Sequence, residues 1–409
     1  MIQPFKQEKI IVTYLYALSI FLIICGLVIQ PSTIIDGLIS IITHSGVLIT
    51  DYFEIGGISA ALVNSGLSLL IVMLFTKASG LRFSGLTFAA MFTYLGFTFF
   101  GKNFVNVLPI FLGVYLYSLY VKEPLKNFIH IAIFSTCLAP VVSTNFIGTT
   151  WGIYVSIAIG IIYGFLIVPL GQHAIRWHSG YTLYNIGFSG GVFALILTAI
   201  IRTLGFELTT VSYISTDYHY QILFIACVMT VSFFVIAFAS KSLTLKEYKV
   251  LLTRSGRAVT DLFSLHDTGV VFFNIGLLGV ISIVASLITG VPLNGPILGG
   301  MMTIVGFGGF GKHPRNCIPV MLGAGLMFLL SGNPMTTTVI VTILFVTCLA
   351  PLAGQYGVII GIITGALHFS LVGFTAPWQG AFNLYNNGFA SGIVAGFLIN
   401  MIDSLRKVD

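Results

Sequence analysis

The stretch GFTFFGKNFVN at residues 96–106 returns 210 positions later as GFGGFGKHPRN at residues 306–316. Around it the same offset aligns residues 45–116 with residues 255–326 without a gap, and many of the aligned positions are identical. Self-similarity at one fixed spacing indicates an internal duplication. The sequence therefore predicts a fold built from two related halves.

Two further motifs repeat after small shifts of the offset. CLAP at residues 137–140 returns at 348–351, an offset of 211, and LYNxGF at 183–188 returns at 384–389, an offset of 201. A duplicated membrane domain is the usual plan of a transporter or channel.

The composition indicates an integral membrane protein. Hydrophobic residues make up 57% of the chain and charged residues 7%, and the mean hydropathy is +1.03. Apolar runs long enough to span a bilayer follow one another along almost the whole chain. We expect an all-α polytopic membrane protein without a soluble domain. It divides into a first membrane repeat, residues 1–210, and a second, inverted one, residues 211–409.

The lengths of the apolar runs predict about 14 transmembrane or re-entrant segments, seven in each repeat. A shorter amphipathic stretch follows the first segment of each repeat, at 34–50 and 243–260, and is expected to lie along the interface. The expected segments are 10–30, 56–76, 82–100, 104–121, 127–147, 151–170, 180–201, 219–240, 267–289, 293–310, 314–331, 335–350, 356–373 and 380–402.

The charges of the loops predict opposite orientations for the two repeats, because Lys and Arg in short loops mark the cytoplasmic side. The loop 31–55 contains neither residue, whereas its equivalent, 241–265, contains five of them. An odd number of crossings per repeat inverts the second repeat and leaves the N- and C-termini in the cytoplasm. The predicted location is the cell membrane. The net charge of +6 is explained by this orientation, and no nucleic-acid partner is expected.

The third and fourth expected segments of each repeat are barely long enough to span, so each pair forms either a complete or a re-entrant hairpin. Re-entrant hairpins would bring Lys102 and Lys312 together near the midplane, whereas complete ones would place them at opposite surfaces. A lysine beside a glycine-rich turn and a helix start, with Asn106 or Asn316 one turn further, suits an anion such as a carboxylate. Close helix packing at the glycines is the competing explanation.

Polar residues that repeat inside apolar segments complete the candidate binding site. A buried amide needs a hydrogen-bond partner, so the asparagines either coordinate a solute or bond a neighbouring helix. The tyrosines of LYNxGF either gate a path or stack on a planar solute. These candidates are Asn64 and Asn274, Asn185 and Asn386, and Tyr184 and Tyr385.

Two ionisable residues break the repeat. Asp267 stands where the first repeat has Gly57, and an acid near the membrane without an equivalent is a candidate for coupling transport to protons. His368 corresponds to Ile167 and is expected to be a hydrogen-bonded core residue. The five cysteines lie in apolar segments, with neither disulfide nor metal-ligand spacing, so no metal and no cofactor is predicted.

With its repeated Asn-x-Gly and LYNxGF motifs, the chain resembles a bacterial multi-pass membrane family described as a domain of unknown function, which implies no activity. It is also faintly similar to urea transporters, which have inverted repeats and asparagines followed by glycine. The Leu-Pro-x-x-Thr-x-Pro-Phe run of those transporters is absent here. The plan of seven plus seven segments is similar to that of elevator-type nucleobase and anion transporters, which is a likeness of fold only.

Together these features predict a secondary transporter of a small polar solute, with an anion favoured and a site at the repeat interface. A channel or facilitator for a small neutral solute, like urea, is the first alternative. A membrane-embedded enzyme or a structural membrane subunit is the alternative of another class. We expect no enzyme, because the sequence has no HExxH motif, nucleophile elbow or acid pair. The expected partners are the lipid bilayer and the solute, and a homo-oligomer is compatible with the sequence.

Overall fold

The computed structural model describes residues 4–145, 147–149, 151–208 and 210–406. Helices, turns and loops make up these ranges, apart from two isolated β-bridges that join Thr50 to Tyr213 and Asp51 to Phe100. The expected all-α class is therefore confirmed.

The helices follow one another with short connections. In the described residues of the first half they are Pro4–Ile29 (α1), Ile34–Thr43 (α2), Tyr52–Ala78 (α3), Gly85–Phe97 (α4), Leu108–Tyr120 (α5), Ile129–Ser135 (α6), Ala139–Ser143 (α7), Gly152–His178 (α8) and Asn185–Thr203 (α9). In the second half they are His219–Ala239 (α10), Leu245–Leu251 (α11), Leu262–Leu265 (α12), Thr268–Leu287 (α13), Gly295–Phe307 (α14), Pro314–Ser331 (α15), Thr337–Phe345 (α16), Ala350–Tyr356 (α17), Val358–Trp378 (α18) and Asn386–Arg406 (α19). Short 3₁₀ turns lie at Pro31–Thr33, Leu125–Asn127, Thr136–Leu138 and Val346–Leu349.

Ten helical segments of the described chain are long and apolar enough to cross a membrane. The other expected segments are shorter: α4, α5 and α14 have 13 residues each, and the segment expected at 127–147 is divided between α6 and α7. A 13-residue helix is about 20 Å long, whereas the apolar core of a bilayer is about 30 Å thick. These elements are therefore shorter than the apolar thickness of a membrane.

Each half contains a helix that is interrupted at its CLAP motif. The 3₁₀ turn Thr136–Leu138 separates α6 from α7, and Val346–Leu349 separates α16 from α17. Pro140 and Pro351 explain the interruptions, because proline lacks the N–H group that would donate to the carbonyl oxygen four residues earlier.

The carbonyl groups at the two interruptions accept hydrogen bonds from the opposite half. The backbone N–H of Leu384 donates to the carbonyl oxygen of Cys137 at 2.9 Å, and that of Leu183 donates to Cys348 at 3.0 Å. Each interruption is thus closed by the LYNxGF segment of the other half.

The short helices α4 and α14 lie at the centre of the molecule and run antiparallel. Gly295, at the start of α14, faces the carbonyl oxygen of Phe99, just beyond the end of α4. Gly85, at the start of α4, faces Gly309, just beyond the end of α14. Every residue of α14 is buried, and so is every residue of α4 except Leu86. Helices that are enclosed on all sides are expected to be apolar on all sides, as these two are.

Glycine allows the two central helices to touch. A Cβ atom added at Gly96 would lie 2.7 Å from the carbonyl oxygen of Gly299, and one added at Gly299 would lie 2.6 Å from the carbonyl oxygen of Gly96. A side chain at either position would separate the backbones, so this crossing requires the smallest residue.

Two aspartates cap the central helices, each on the helix of the opposite half. Asp51 Oδ2 accepts a hydrogen bond from the N–H of Gly295 at 3.2 Å, and Asp261 Oδ2 accepts one from the N–H of Gly85 at 2.9 Å. A carboxylate at a helix start satisfies free N–H groups and complements the helix dipole. Burial opposes ionisation and raises the pKa of the Asp261 carboxyl, although the backbone donors around it act in the opposite direction.

Candidate functional site

Two cavities lie beside the central helix pair. Cavity A has a volume of about 180 Å³ and extends from the Ala258–Val259 segment to Tyr184 and Tyr385. Cavity B has a volume of about 880 Å³ and extends from the Leu48–Ile49 segment to the α16 and α18 helices.

Equivalent residues of the two halves line the two cavities. By the sequence offsets, several parts of the wall of cavity A have a counterpart in the wall of cavity B, whereas Tyr184 and its equivalent Tyr385 both line cavity A. The pairs are Ala258–Val259 with Leu48–Ile49, Phe310 with Phe100, His130–Ile131 with Val341–Thr342, and Asn185 with Asn386. Equivalent segments of the two halves therefore form part of both cavity walls.

Three residues line both cavities and form the boundary between them: Phe345, Leu384 and Asn387. We call these three residues the waist. Aromatic rings surround it, since Phe97 and Tyr184 lie 5.4 Å and 6.2 Å from the ring of Phe345. The boundary between the cavities is therefore mostly apolar in this structure.

Lys102 is completely buried and points from the tip of the first hairpin toward the second half. Its Nζ donates a hydrogen bond to the hydroxyl of Tyr385 at 2.6 Å. The same ammonium lies 4.5 Å to 5.3 Å from the ring centres of Tyr94, Phe97 and Tyr385. The faces of these rings carry the negative side of a quadrupole, so they stabilise a cation that has left water.

Lys312 is completely buried and makes the corresponding contacts toward the first half. Its Nζ donates to the hydroxyl of Tyr184 at 2.7 Å and to Oγ1 of Thr347 at 2.8 Å. The rings of Tyr184 and Phe307 lie 4.7 Å and 5.0 Å away. Neither lysine lines a cavity; each touches a tyrosine that does.

Neither buried lysine forms an ion pair within the described residues, where the ion pair that occurs joins His266 to Glu247. The ammonium groups are balanced by tyrosine oxygens and aromatic faces rather than by carboxylates. An isolated charge inside a membrane protein is costly and is commonly retained for function.

Asn64 and Asn274 fix the hairpin turns. Asn64 Nδ2 donates to the carbonyl oxygens of Thr98 and Lys102 at 2.8 Å and 3.2 Å, and Asn274 Nδ2 donates to those of Gly308 and Lys312 at 2.9 Å and 2.8 Å. Both amides lie away from the cavity walls. In this structure the two asparagines position the lysines and have no place in the lining.

Asn106 and Asn316 close the same turns from the other side. The amide of Asn106 donates to the carbonyl oxygen of Gly101 at 3.1 Å, and that of Asn316 donates to Gly311 at 2.9 Å. Both glycines have positive φ, at 82° and 91°, which a residue with a side chain rarely adopts. These asparagines, too, bind backbone and do not line either cavity.

The other sequence-predicted pairs do reach the cavities. Tyr184, Tyr385 and Asn185 line cavity A, and Asn386 lines cavity B. Asn185 is held by His178, whose Nε2 lies 2.9 Å from its Oδ1, and Asn386 by Gln379, whose Nε2 donates to its Oδ1 at 2.8 Å.

Asp267 lies apart from both cavities. It is the residue before α13, its side chain makes no capping bond, and it borders a separate surface cavity of about 520 Å³. Glu247, Asp261 and His266 border the same surface cavity. The structure therefore does not bring Asp267 together with the lysine and tyrosine candidates.

Sequence reasoning missed the two threonines that precede CLAP. Thr347 accepts a hydrogen bond from Lys312, and Thr136, its equivalent, hydrogen-bonds Tyr385. The signal was present, because the identity between the halves extends one residue ahead of each CLAP motif.

Asn387 and Thr93 were also missed. Both line cavity A, and the Oδ1 of Asn387 and the Oγ1 of Thr93 are buried without a hydrogen-bond partner in the described part of the chain. No repeat signal points to Asn387, because its equivalent is Ile186. Clusters of His, Cys, Asp and Glu that could hold a metal ion are not found among the described residues.

The model of a family described as "Protein of unknown function (DUF1576)" matches residues 30–203 and 240–404. The chain therefore belongs to this family, and the resemblance to a multi-pass membrane family of unknown function is confirmed. No curated protein and no solved structure matches the chain.

Proposed function

We propose that this member of the DUF1576 family is a secondary transporter that moves a small polar solute between cavity A and cavity B through the waist. The observation that supports this most directly is the pair of cavities lined by equivalent residues on either side of Phe345, Leu384 and Asn387. Transporters with duplicated domains commonly bind their solute where the repeats meet.

The two halves are proposed to be inverted repeats of seven segments each, in the cell membrane, with both termini in the cytoplasm. The antiparallel course of α4 and α14 supports this, because equivalent helices of inverted repeats point in opposite directions. Loop charge supports it as well. Arg254 and Arg257 stand just before the Ala258–Val259 edge of cavity A, and the equivalent loop before Leu48 has no basic residue. Cavity A then opens to the cytoplasm and cavity B to the outside.

An anion is the favoured solute because of the two buried lysines beside the waist. Lys102 and Lys312 donate to Tyr385 and Tyr184. Each tyrosine also hydrogen-bonds the threonine that precedes CLAP, so the solute takes the place of that threonine as the acceptor of the tyrosine O–H. A neighbouring ammonium strengthens such a donor. Two polarised hydroxyl groups in the wall of cavity A suit a carboxylate-like group.

The lysine–tyrosine bonds also suggest how the path opens. Each bond joins the hairpin of one half to the LYNxGF segment of the other. Movement of one half against the other therefore has to lengthen these bonds. We propose that their alternate opening accompanies alternating access at the waist.

A channel or facilitator for a small neutral solute is the second candidate. It is favoured by the walls of cavity A, whose lining contains no Lys, Arg, Asp or Glu. In this case the lysines only stabilise the fold, and the tyrosine, threonine and asparagine groups of the wall bind the solute.

Uptake into vesicles reconstituted with purified protein decides between these candidates. With an anionic solute we expect Lys102→Gln and Lys312→Gln to weaken apparent affinity equally, by about 1–3 kcal/mol, the scale of a charge-assisted hydrogen bond. Lys→Arg should not restore it fully, because a planar guanidinium places its donors differently. Lys246→Gln, at an exposed position on α11, is the matched control.

Uptake of a neutral solute alone, unchanged in both lysine variants, would favour the facilitator. If the folded wild-type protein carried neither anionic nor neutral small solutes, the transport proposal itself would be refuted.

A further inference from the structure

Asn387 is the polar residue of the waist, and its equivalent in the first half is apolar. Asn387 corresponds to Ile186, and His368 on α18 corresponds to Ile167 on α8. The two exceptional residues touch, since Nε2 of His368 donates to the backbone oxygen of Asn387 at 3.2 Å. A carbonyl oxygen can only accept, so the His368 proton is on Nε2. The second half thus has two polar residues in contact, His368 and Asn387, where the first half has two isoleucines.

Asn387 brings an unused acceptor to the boundary of both cavities. Its Oδ1 is shielded from solvent and bonds to none of the residues that the structure describes. Buried polar atoms of native proteins nearly always have a partner, and each exception requires an explanation. The position of Asn387 allows its Oδ1 to accept a hydrogen bond from a donor on the solute.

Thr93 supplies a second unused polar atom in the lining of cavity A. Its side chain is 3% exposed, and its hydroxyl has no partner in the described ranges. The equivalent residue, Thr303, is satisfied internally by donating to the carbonyl oxygen of Gly299 at 2.8 Å. Both unused polar atoms of cavity A therefore differ from their equivalents, Asn387 in residue type and Thr93 in hydrogen bonding alone.

We infer that the solute is a small monoanion that carries its own O–H or N–H donor, as a 2-hydroxycarboxylate does. The hydroxyl groups of Tyr184 and Tyr385 exchange their threonine partners for its carboxylate, and Oδ1 of Asn387 accepts from its hydroxyl. Thr93 supplies a further hydroxyl within the same cavity. A cavity of about 180 Å³ admits only a small molecule of this kind. This inference rests on the proposed transport function and specifies its substrate.

Two anions of equal charge and similar size, lactate and propionate, test the inference on the wild-type protein. They differ in the hydroxyl that Asn387 would bind. We expect lactate to bind on the order of tenfold more tightly, the effect of one additional hydrogen bond to a buried acceptor. Binding is measured by calorimetry on purified protein and by competition for uptake into vesicles.

Asn387→Ile gives the second half the residue that the first half has at the equivalent position. In this variant the preference for lactate should disappear while propionate binding is retained. Asn400→Ile, on the same helix but outside the cavities, is the matched control and should keep the preference.

Equal binding of lactate and propionate to the wild type would overturn the inference and leave the transport proposal intact. A preference that survives in Asn387→Ile would overturn the role assigned to Asn387. Failure of the wild-type vesicles to take up any small solute would instead refute the transport function. The comparison of the two anions needs no variant, so it holds even where Asn387→Ile does not fold.

Discussion

The two hairpins of this protein, α4–α5 and α14–α15, are held by the same bonds, whereas the helix pairs α8–α9 and α18–α19 differ where they reach the waist. In each hairpin an asparagine of the preceding long helix binds the turn, and a lysine of the turn donates to a tyrosine of the other half. In the helix pairs, Ile167 and Ile186 of one half correspond in sequence to His368 and Asn387 of the other.

The difference separates two roles. Residues repeated in both halves position backbone and charge around the centre, which a symmetric path needs twice. Residues present once provide polar atoms at a single point, where we propose that a solute without two-fold symmetry binds. Substitutions of equivalent repeated residues should therefore have similar effects in the two halves. Substitutions of His368 or Asn387 should have effects that no substitution in the first half reproduces.

The largest expected effect tests whether the halves are equivalent and inverted. Thr43 and Thr253 are equivalent, exposed residues. Thr43 is the last residue of the amphipathic helix α2, and Thr253 follows the end of the amphipathic helix α11. We expect Thr43→Cys and Thr253→Cys, each in a cysteine-free background, to react with an impermeant reagent from opposite sides of intact cells. The reason is the contrast in basic residues between their loops.

Labelling after cell lysis provides the control, since both cysteines should then react fully. Reaction of both cysteines from the same side of intact cells would rule out the inverted arrangement and the pseudo-symmetric path with it.

The next effect concerns the crossing that the two halves share. We expect Gly96→Val to destabilise the protein by more than the usual cost of overpacking, which is about 1–3 kcal/mol, because the added atoms meet backbone of α14 that cannot rotate away. Thermal unfolding in detergent measures this effect. Gly325→Val is the matched control, since a Cβ at Gly325 meets no atom within 4 Å. Similar melting temperatures for the two variants would contradict the close crossing.

The smallest effect concerns Asp267, which the first half replaces with Gly57. If this acid couples protons to transport, Asp267→Asn should flatten the pH dependence of uptake and leave folding unchanged, because the amide cannot take up a proton. Asp36→Asn, at an exposed position on α2, should have no such effect. An unaltered pH profile in Asp267→Asn would remove its proposed coupling role.

The lysine and tyrosine pairs could be predicted as candidates because repetition of polar residues inside apolar segments is visible in the sequence. Their connection could not be predicted. Lys102 and Tyr385 are 283 residues apart in the sequence. The repeat offset identifies equivalent positions, but it does not indicate whether a side chain contacts its own half or the other half. Only the packing of α4 against α14 brings the hairpin tip of one half to the tyrosine of the other.

The lengths of the central elements were predicted less well, for a related reason. Apolar runs such as 82–100 continue through turns that are buried in protein, so run length overstates helix length. In α4 the helix ends at Phe97, and the buried turn that follows keeps the run apolar without extending the helix. The unpaired amide oxygen of Asn387 could not be predicted either. Whether such an atom has a hydrogen-bond partner depends on its three-dimensional surroundings, which the amino-acid sequence does not show.

The exchanged aspartate caps described above bear on how the molecule is made. The first residue of α4 is capped by a carboxylate that is synthesised 176 residues later, and α14 depends in turn on the carboxylate that precedes α3. The N–H of Gly85 therefore lacks this acceptor until the second half has been synthesised, although Ser84 already caps the same helix. Completion of the central helix pair thus requires both halves, each of which contributes one carboxylate to the other.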